Sequence, residues 1–245
     1  MPLIGGALDR LLFRGDELYY LPLQESISVD KDMGELTSLV MPPAILDHFI
    51  DSASHFFIMD FCICRESAGC KDYPRDLGCL FLGSAADSIN PALGRKATRE
   101  EAREHVKRCR EAGLVHLVGR NKLDAVWLGT GPPERLMTIC NCCPCCCLWM
   151  MLPSLAPAIQ GKVARLPGVT VSVGDACTGC GSCLDGVCFV GAITMVNGRA
   201  SVSDACRGCG RCVAACGSGA ISLSISIESS PRVIQRLEDV LSVGE

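Results

Sequence analysis

Residues 175–193 (DACTGCGSCLDGVCFVGAI) and residues 204–221 (DACRGCGRCVAACGSGAI) are two copies of one segment. Cys177, Cys180 and Cys183 match Cys206, Cys209 and Cys212 in register, and Cys188 matches Cys216 after a one-residue insertion in the first copy. Chance does not keep such a register, so the stretch is expected to fold as two equivalent halves around whatever its thiols hold. Cysteine reaches 19 of 245 residues in the whole chain, which signals either a disulfide scaffold or metal sites. An odd count suits complete disulfide pairing poorly. The opening MPLIGGALDRLLFRG has no basic segment ahead of its apolar stretch and is interrupted by Asp9 and Arg10, so no secretory signal is read. The expectation is a cytoplasmic protein whose reduced thiols bind metal.

The spacing C-x-x-C-x-x-C lets one tight loop aim three thiolates at three irons of a single [4Fe-4S] cube while backbone amides face its sulfides. Gly179, Gly181, Gly208 and Gly210 give the chain the freedom to make that loop. Zinc knuckles normally pair two C-x-x-C units across a longer spacer, without the third cysteine. In two-cluster ferredoxins the fourth cysteine of each run serves the other cluster. That rule puts Cys177, Cys180, Cys183 and Cys216 on one cluster, and Cys206, Cys209, Cys212 and Cys188 on the second. The segment resembles the bacterial-type dicluster ferredoxins, including the Gly-Ala-Ile at 191–193 and 219–221. The resemblance implies a βαββαβ pseudo-twofold fold and one-electron transfer. Two departures stand out: Phe189 and Gly217 occupy the usual proline positions, and the first copy is C-x4-C where the family has C-x3-C.

Ten further cysteines lie upstream: Cys62, Cys64, Cys70 and Cys79, then Cys140, Cys142, Cys143, Cys145, Cys146 and Cys147 in ICNCCPCCC. In an extended segment residues two apart share a face, so Cys62 with Cys64, Cys140 with Cys142, or Cys145 with Cys147 can reach one metal. The ten thiols suffice for one [4Fe-4S] cluster with spares, for two, or for a larger cluster. Zinc and redox-active thiols are the alternatives. CICRESAGCKDYPRDLGC, EEAREHVKRCREAGLVHL and ICNCCPCCC together resemble a group of anaerobe 4Fe-4S proteins in which a cysteine-rich domain precedes a dicluster ferredoxin domain. That resemblance implies an electron-transfer role and names no substrate.

The fold expected is α+β. A cysteine-rich α+β domain over 1–165 carries an extra iron–sulfur site, a ferredoxin-like βαββαβ domain covers 166–228, and a helix covers 229–245. Phe56 to Cys64 reads as a buried strand, Ala44 to Ser52 as a helix, Leu114 to Val118 and Val126 to Leu128 as strands, and Ile221 to Ile227 as a half-buried strand. Thr98 and Glu101 form a capping box for a helix that Gly113 ends. No uninterrupted apolar run is long enough for a transmembrane segment, because Pro144, Pro153 and Pro157 break the only near candidate.

A formal charge of −4 argues against a general nucleic-acid binder. The basic residues of 99–110 interleave with glutamates as a solvated helix face does. Between Asp175 and Cys216, Asp175, Asp185 and Asp204 balance Arg199, Arg207 and Arg211, so no strongly acidic docking face steers a diffusing carrier. Partner subunits of an anaerobic oxidoreductase complex fit better. His48, His55, His105 and His116 lack ligand spacing, Cys109 reads as a buried hydrophobe, and Arg65 as a partner of Glu66 or Asp72. The leading reading is an iron–sulfur electron-transfer protein. Its alternatives are an enzyme with a substrate-binding cluster in the upstream cysteine cage, or a metal or cluster carrier.

Overall fold

The computed structural model describes residues 9–23, 26–27, 39–184, 186–226 and 229–244. Strands in chain order are β1 (Glu17–Tyr20), β2 (Ser26–Ile27), β3 (Leu39–Val40), β4 (Phe56–Met59), β5 (Leu80–Leu82), β6 (Gly94–Lys96), β7 (Val115–Arg120), β8 (Met137–Cys142), β9 (Val163–Arg165), β10 (Thr170–Val173), β11 (Ile193–Val196), β12 (Arg199–Val202) and β13 (Ile221–Ser224). Helices are α1 (Met41–Ser52), α2 (Ile63–Ser67), α3 (Arg99–Glu111), α4 (Lys122–Leu128), α5 (Pro157–Gln160), α6 (Arg211–Ala214) and α7 (Ser229–Glu238). The mixture of helices and a mixed sheet is that of an α+β protein.

Seven strands form one sheet in the order β6-β4-β5-β8-β7-β1-β9, antiparallel except where β9 runs parallel to β1. Strand alternation assigns its two faces different work. Tyr19, Ile58, Leu80, Leu82, Val118, Met137 and Ile139 point to one face, where they pack with Leu46, Phe49 and Ile50 of α1 and Ala102 and Val106 of α3. Val233 and Leu237 of α7 join the same core, so the C-terminal helix docks on the body against α1. The opposite face carries Leu18, Tyr20, Val115, Leu117 and the thiols of β8.

Beyond β9 the chain forms two antiparallel ribbons, β10 with β13 and β11 with β12, so the outer strands of the duplicated region pair together and the inner strands pair together. A helix, α6, follows the second set of three cysteines. The matching stretch of the first copy forms turns at Ser182–Leu184, and Asp185 lies outside the described residues.

Several local expectations need correction. The strand expected at Val126–Leu128 is the last turn of α4, closed by Gly129 at φ 64°. Its β-branched valine suggested a strand, but Asp124 and Trp127 sit three apart and are joined by an indole N–H to carboxylate bond of 2.9 Å, a helical contact. The strand read through Cys64 stops at Met59, and Cys62 instead precedes α2. The helix placed at Ala44 starts at Met41, and the strand beginning at Ile221 ends at Ser224, with Ile227 outside the described residues. The helix opened by Thr98 has both hydrogen bonds of its capping box. The turn signal at Gly5-Gly6 lies outside the described residues.

Candidate metal centres

In the duplicated region the four glycines among the cysteines are left-handed, with φ of 69° at Gly179, 78° at Gly181, 67° at Gly208 and 78° at Gly210. A side chain at Gly179 would put its Cβ 2.3 Å from the Gly198 carbonyl oxygen, so the loop is closed as well as bent. Backbone amides point at the thiols: Ala192 N–H at Cys188 Sγ (3.2 Å), Gly208 N–H at Cys206 Sγ (3.3 Å) and Ala200 N–H at Cys177 Sγ (3.5 Å). The thiols fall into two groups, each drawing on both copies. Burial pushes the Cys183 thiol up, with Cys216, Cys177 and Cys180 adding to the shift. Burial lifts Cys212 to about 12, and its charged neighbours are Cys209, Cys206 and Cys188. Those last four also line one cavity beside Phe189 and Ile193. The first group is the more open: Cys180 is exposed, whereas Cys206 and Cys212 are buried.

The ten upstream thiols divide in two. Register puts Cys142 across from Val115 and Cys140 across from Leu117, both on the face away from the helices. Leu80 pairs with Ile139, so Cys79, one residue before β5, comes opposite Cys140, and their sulfurs are 3.9 Å apart. Cys62 and Cys64 at the start of α2, and Cys147 beyond the turn after β8, join Cys79, Cys140 and Cys142 as a six-thiol cage around a cavity of about 530 Å³, whose lining Cys143 and Cys146 also reach. The thiols share protons in pairs. A hydrogen bond from Cys64 holds Cys62 down to about 6, and bonds from Cys140 and Cys147 hold Cys142 well below the ordinary thiol range. Their partners Cys64, Cys140 and Cys147 are pushed up in turn. Ile63, Leu148 and Trp127 supply apolar wall, and Ile63 and Leu148 remain exposed at its edge.

The second group is Cys70, Cys143, Cys145 and Cys146, whose sulfurs all lie within 4.8 Å of one another. Cys145 Sγ is 3.7 Å from Cys70 Sγ and 3.5 Å from Cys146 Sγ. Cys109 belongs to neither group. It is fully buried against Leu77, Leu114 and Cys143, its sulfur is 3.6 Å from His105 Nε2, and burial lifts its thiol to about 12.

Behind the thiols lies a polar layer that the sequence did not announce. Arg65 is wholly buried and donates to the carbonyls of Asn141 (2.6 Å) and Leu77, while Glu66 pairs with Arg75 instead. The expected pairing of Arg65 with Glu66 or Asp72 is therefore replaced by a position against Cys62 and Cys143, both of which favour its charge. The Asn141 side chain lies between two buried histidines: it bonds His116 Nδ1 at 2.8 Å and donates to the Gly78 carbonyl at 2.6 Å, which His105 Nε2 also approaches at 2.9 Å. Asp124 borders the cage, its carboxyl raised by burial and held by Trp127, Thr138 and Asn121. His48 and His55 pair with Glu238 (2.9 Å) and Asp87 (2.6 Å), away from the thiols.

Two residues connect the regions. Tyr20 is completely buried, contacts the Phe189 ring at 4.8 Å, and feels the charge of Cys142, Cys147 and Cys140 on one side and of Cys209 on the other. Arg211, from the second copy, donates to the Cys142 carbonyl at 2.6 Å and lies over the Tyr73 ring at 5.8 Å. Comparison with known proteins found no matching family model, no matching curated protein and no matching solved structure. Among the described residues no helix is long and apolar enough to cross a membrane.

Proposed function

We propose that this protein is an iron–sulfur electron-transfer protein of the cytoplasm, acting with redox-protein or oxidoreductase partner subunits in an anaerobic metabolism. Cys177, Cys180, Cys183 and Cys216 would hold one [4Fe-4S] cluster, Cys206, Cys209, Cys212 and Cys188 a second, and the six-thiol cage a further one. The observation that carries this reading is the one cavity that Cys188 of the first copy lines together with Cys206, Cys209 and Cys212 of the second, and Cys216 correspondingly adds to the upward shift of Cys183 in the first group. When bound, such clusters supply one-electron oxidation and reduction with little rearrangement. The protein's own part is placement. Left-handed glycines close the loops, and amide N–H groups aimed at sulfur stabilise thiolate charge. Tyr20 and Phe189 keep water from the space between the buried group and the cage. The exposed Cys180 leaves the first group nearer to solvent, where a partner can approach.

Oxygen-free purification followed by iron and acid-labile sulfide analysis tests this reading. About eight irons per chain fits the C-terminal pair alone, and about twelve or more adds a filled cage. Electron paramagnetic resonance of Cys180→Ala and Cys142→Ala should show loss of different signals. Folded protein with zinc and no sulfide in the C-terminal sites would overturn the proposal.

One feature favours a second reading, an enzyme. The cage cavity of about 530 Å³ has exposed apolar side chains, Ile63 and Leu148, at its edge. A small soft ligand such as carbon monoxide should then alter the cage signal of the reduced protein and leave the other signals unchanged. An unaltered spectrum would return the cage to pure electron transfer.

A further inference from the structure

We propose that Cys70, Cys143, Cys145 and Cys146 bind a single tetrahedral zinc ion at the edge of the cage, where Cys143 and Cys146 also line its cavity, and that this ion fixes the shape of the cage. The spacing of the four sulfurs matches one ion. Four thiolates on one ion at zinc–sulfur bonds of about 2.3 Å stand roughly 3.8 Å from each other. The sulfurs here are 3.5 and 3.7 Å apart where measured pair by pair, and all lie within 4.8 Å. A cube places each thiolate on a different iron and so spreads the four sulfurs by the width of the cube itself. The chain carries its own control: among the described residues no other set of three or more ligand atoms is as tight, neither the cage nor the two C-terminal groups. In the cage Cys79 and Cys140 approach as a pair at 3.9 Å, whereas here four sulfurs converge together, as one ion requires.

The surroundings agree. Arg65, wholly buried, is favoured in its charged form by Cys143, so part of the charge that four thiolates leave on a divalent ion is met by one buried cation. Four protein ligands complete a tetrahedron and leave no open position, which is the mark of a structural site. The ion would clip the loop after α2 to the turn after β8. Cys142 and Cys147 flank that turn and belong to the cage, so the clip would hold two cage ligands in place. Zinc does not change oxidation state, so the clip would keep its geometry whatever the charge of the neighbouring site.

The test uses the full chain purified without oxygen, with zinc and iron both present during expression. About one zinc per chain is expected beside the iron, with X-ray absorption at the zinc edge showing four sulfurs at about 2.3 Å. Cys145→Ala should lose the zinc and Cys147→Ala should keep it. Wild-type protein without zinc, a zinc shell containing nitrogen or oxygen, or zinc retained in Cys145→Ala would each overturn the inference. The wild-type absorption spectrum decides the matter even if a variant fails to fold. Iron and sulfide in the same sample report separately on the electron-transfer reading.

Discussion

Arg65 is an unusual residue to find without exposed surface, because a guanidinium removed from water must recover its hydration from fixed partners. It does so from two carbonyls and from the thiols beside it. Arg65→Met keeps similar bulk and leaves the carbonyls of Leu77 and Asn141 unpaired, so it should lower stability by about 2–4 kcal/mol, measured by denaturant unfolding without oxygen. Asp16 provides a pH prediction. Burial lifts its carboxyl from 3.8 to about 7, against the pull of its bond from Lys122 N–H and of Arg120. Between those values the folded state binds more protons than the unfolded, so this stabilisation is complete below about pH 4 and is lost as pH rises through about 7. Asp16→Asn should therefore gain thermal stability over wild type progressively from about pH 4 to pH 7, at up to ~1.4 kcal/mol per unit within that window, and level off above about pH 8. A constant difference across that range would refute the assignment. At this scale the sequence marked the thiols clearly, because cysteine spacing is itself a chemical signal. Arg65, Asp124 and Tyr20 carry no such mark, since what sets them apart is burial beside residues distant in the chain.

The loops and helices of the duplicated region depend on glycine where the backbone turns left-handed. Gly179 and Gly219 have similar φ, 69° and 64°, but a side chain at Gly179 would strike the Gly198 carbonyl whereas at Gly219 it meets nothing within 4 Å. Gly219→Ala should cost about 1–2 kcal/mol of backbone strain. Gly179→Ala should cost clearly more and reduce the iron held by Cys177, Cys180 and Cys183, as a paired measurement of unfolding and iron content will show. In α3 the capping box is local, and Thr98→Ala should cost about 1 kcal/mol by thermal unfolding. Such local features were readable in advance: the capping box in α3 and the turns among the cysteines, whereas the helix expected over 229–245 ends at Glu238. The end of α4 was not readable, because a short apolar run satisfies strand and helix equally until its neighbours are known.

Across the molecule, one hydrophobic core joins the sheet, the ribbons and the last helix: Leu166 and Val169, Leu223 and Ile225, and Val233 and Leu237 pack with residues of α1 and β4. Leu237→Ala should cost about 2–5 kcal/mol. Both tryptophans, Trp127 and Trp149, lie outside that core, on the other face of the sheet. Their fluorescence should nonetheless shift to lower denaturant in the variant, and an unmoved tryptophan transition would show α7 to be a separate piece. The sequence by itself determined the duplicated thiol loops, since three thiols and the glycines of each loop lie within a few residues of each other. It also determined that ten more thiols cluster upstream. Only the tertiary structure decided how those ten divide, because Cys79 meets Cys140 and Cys70 meets Cys145 across 61 and 75 residues of chain. Strand register sets the first meeting, and the fold of the loop after α2 sets the second. Shifting β8 by one residue would turn Cys140 and Cys142 into the helix-covered core, and neither fact is written in local spacing.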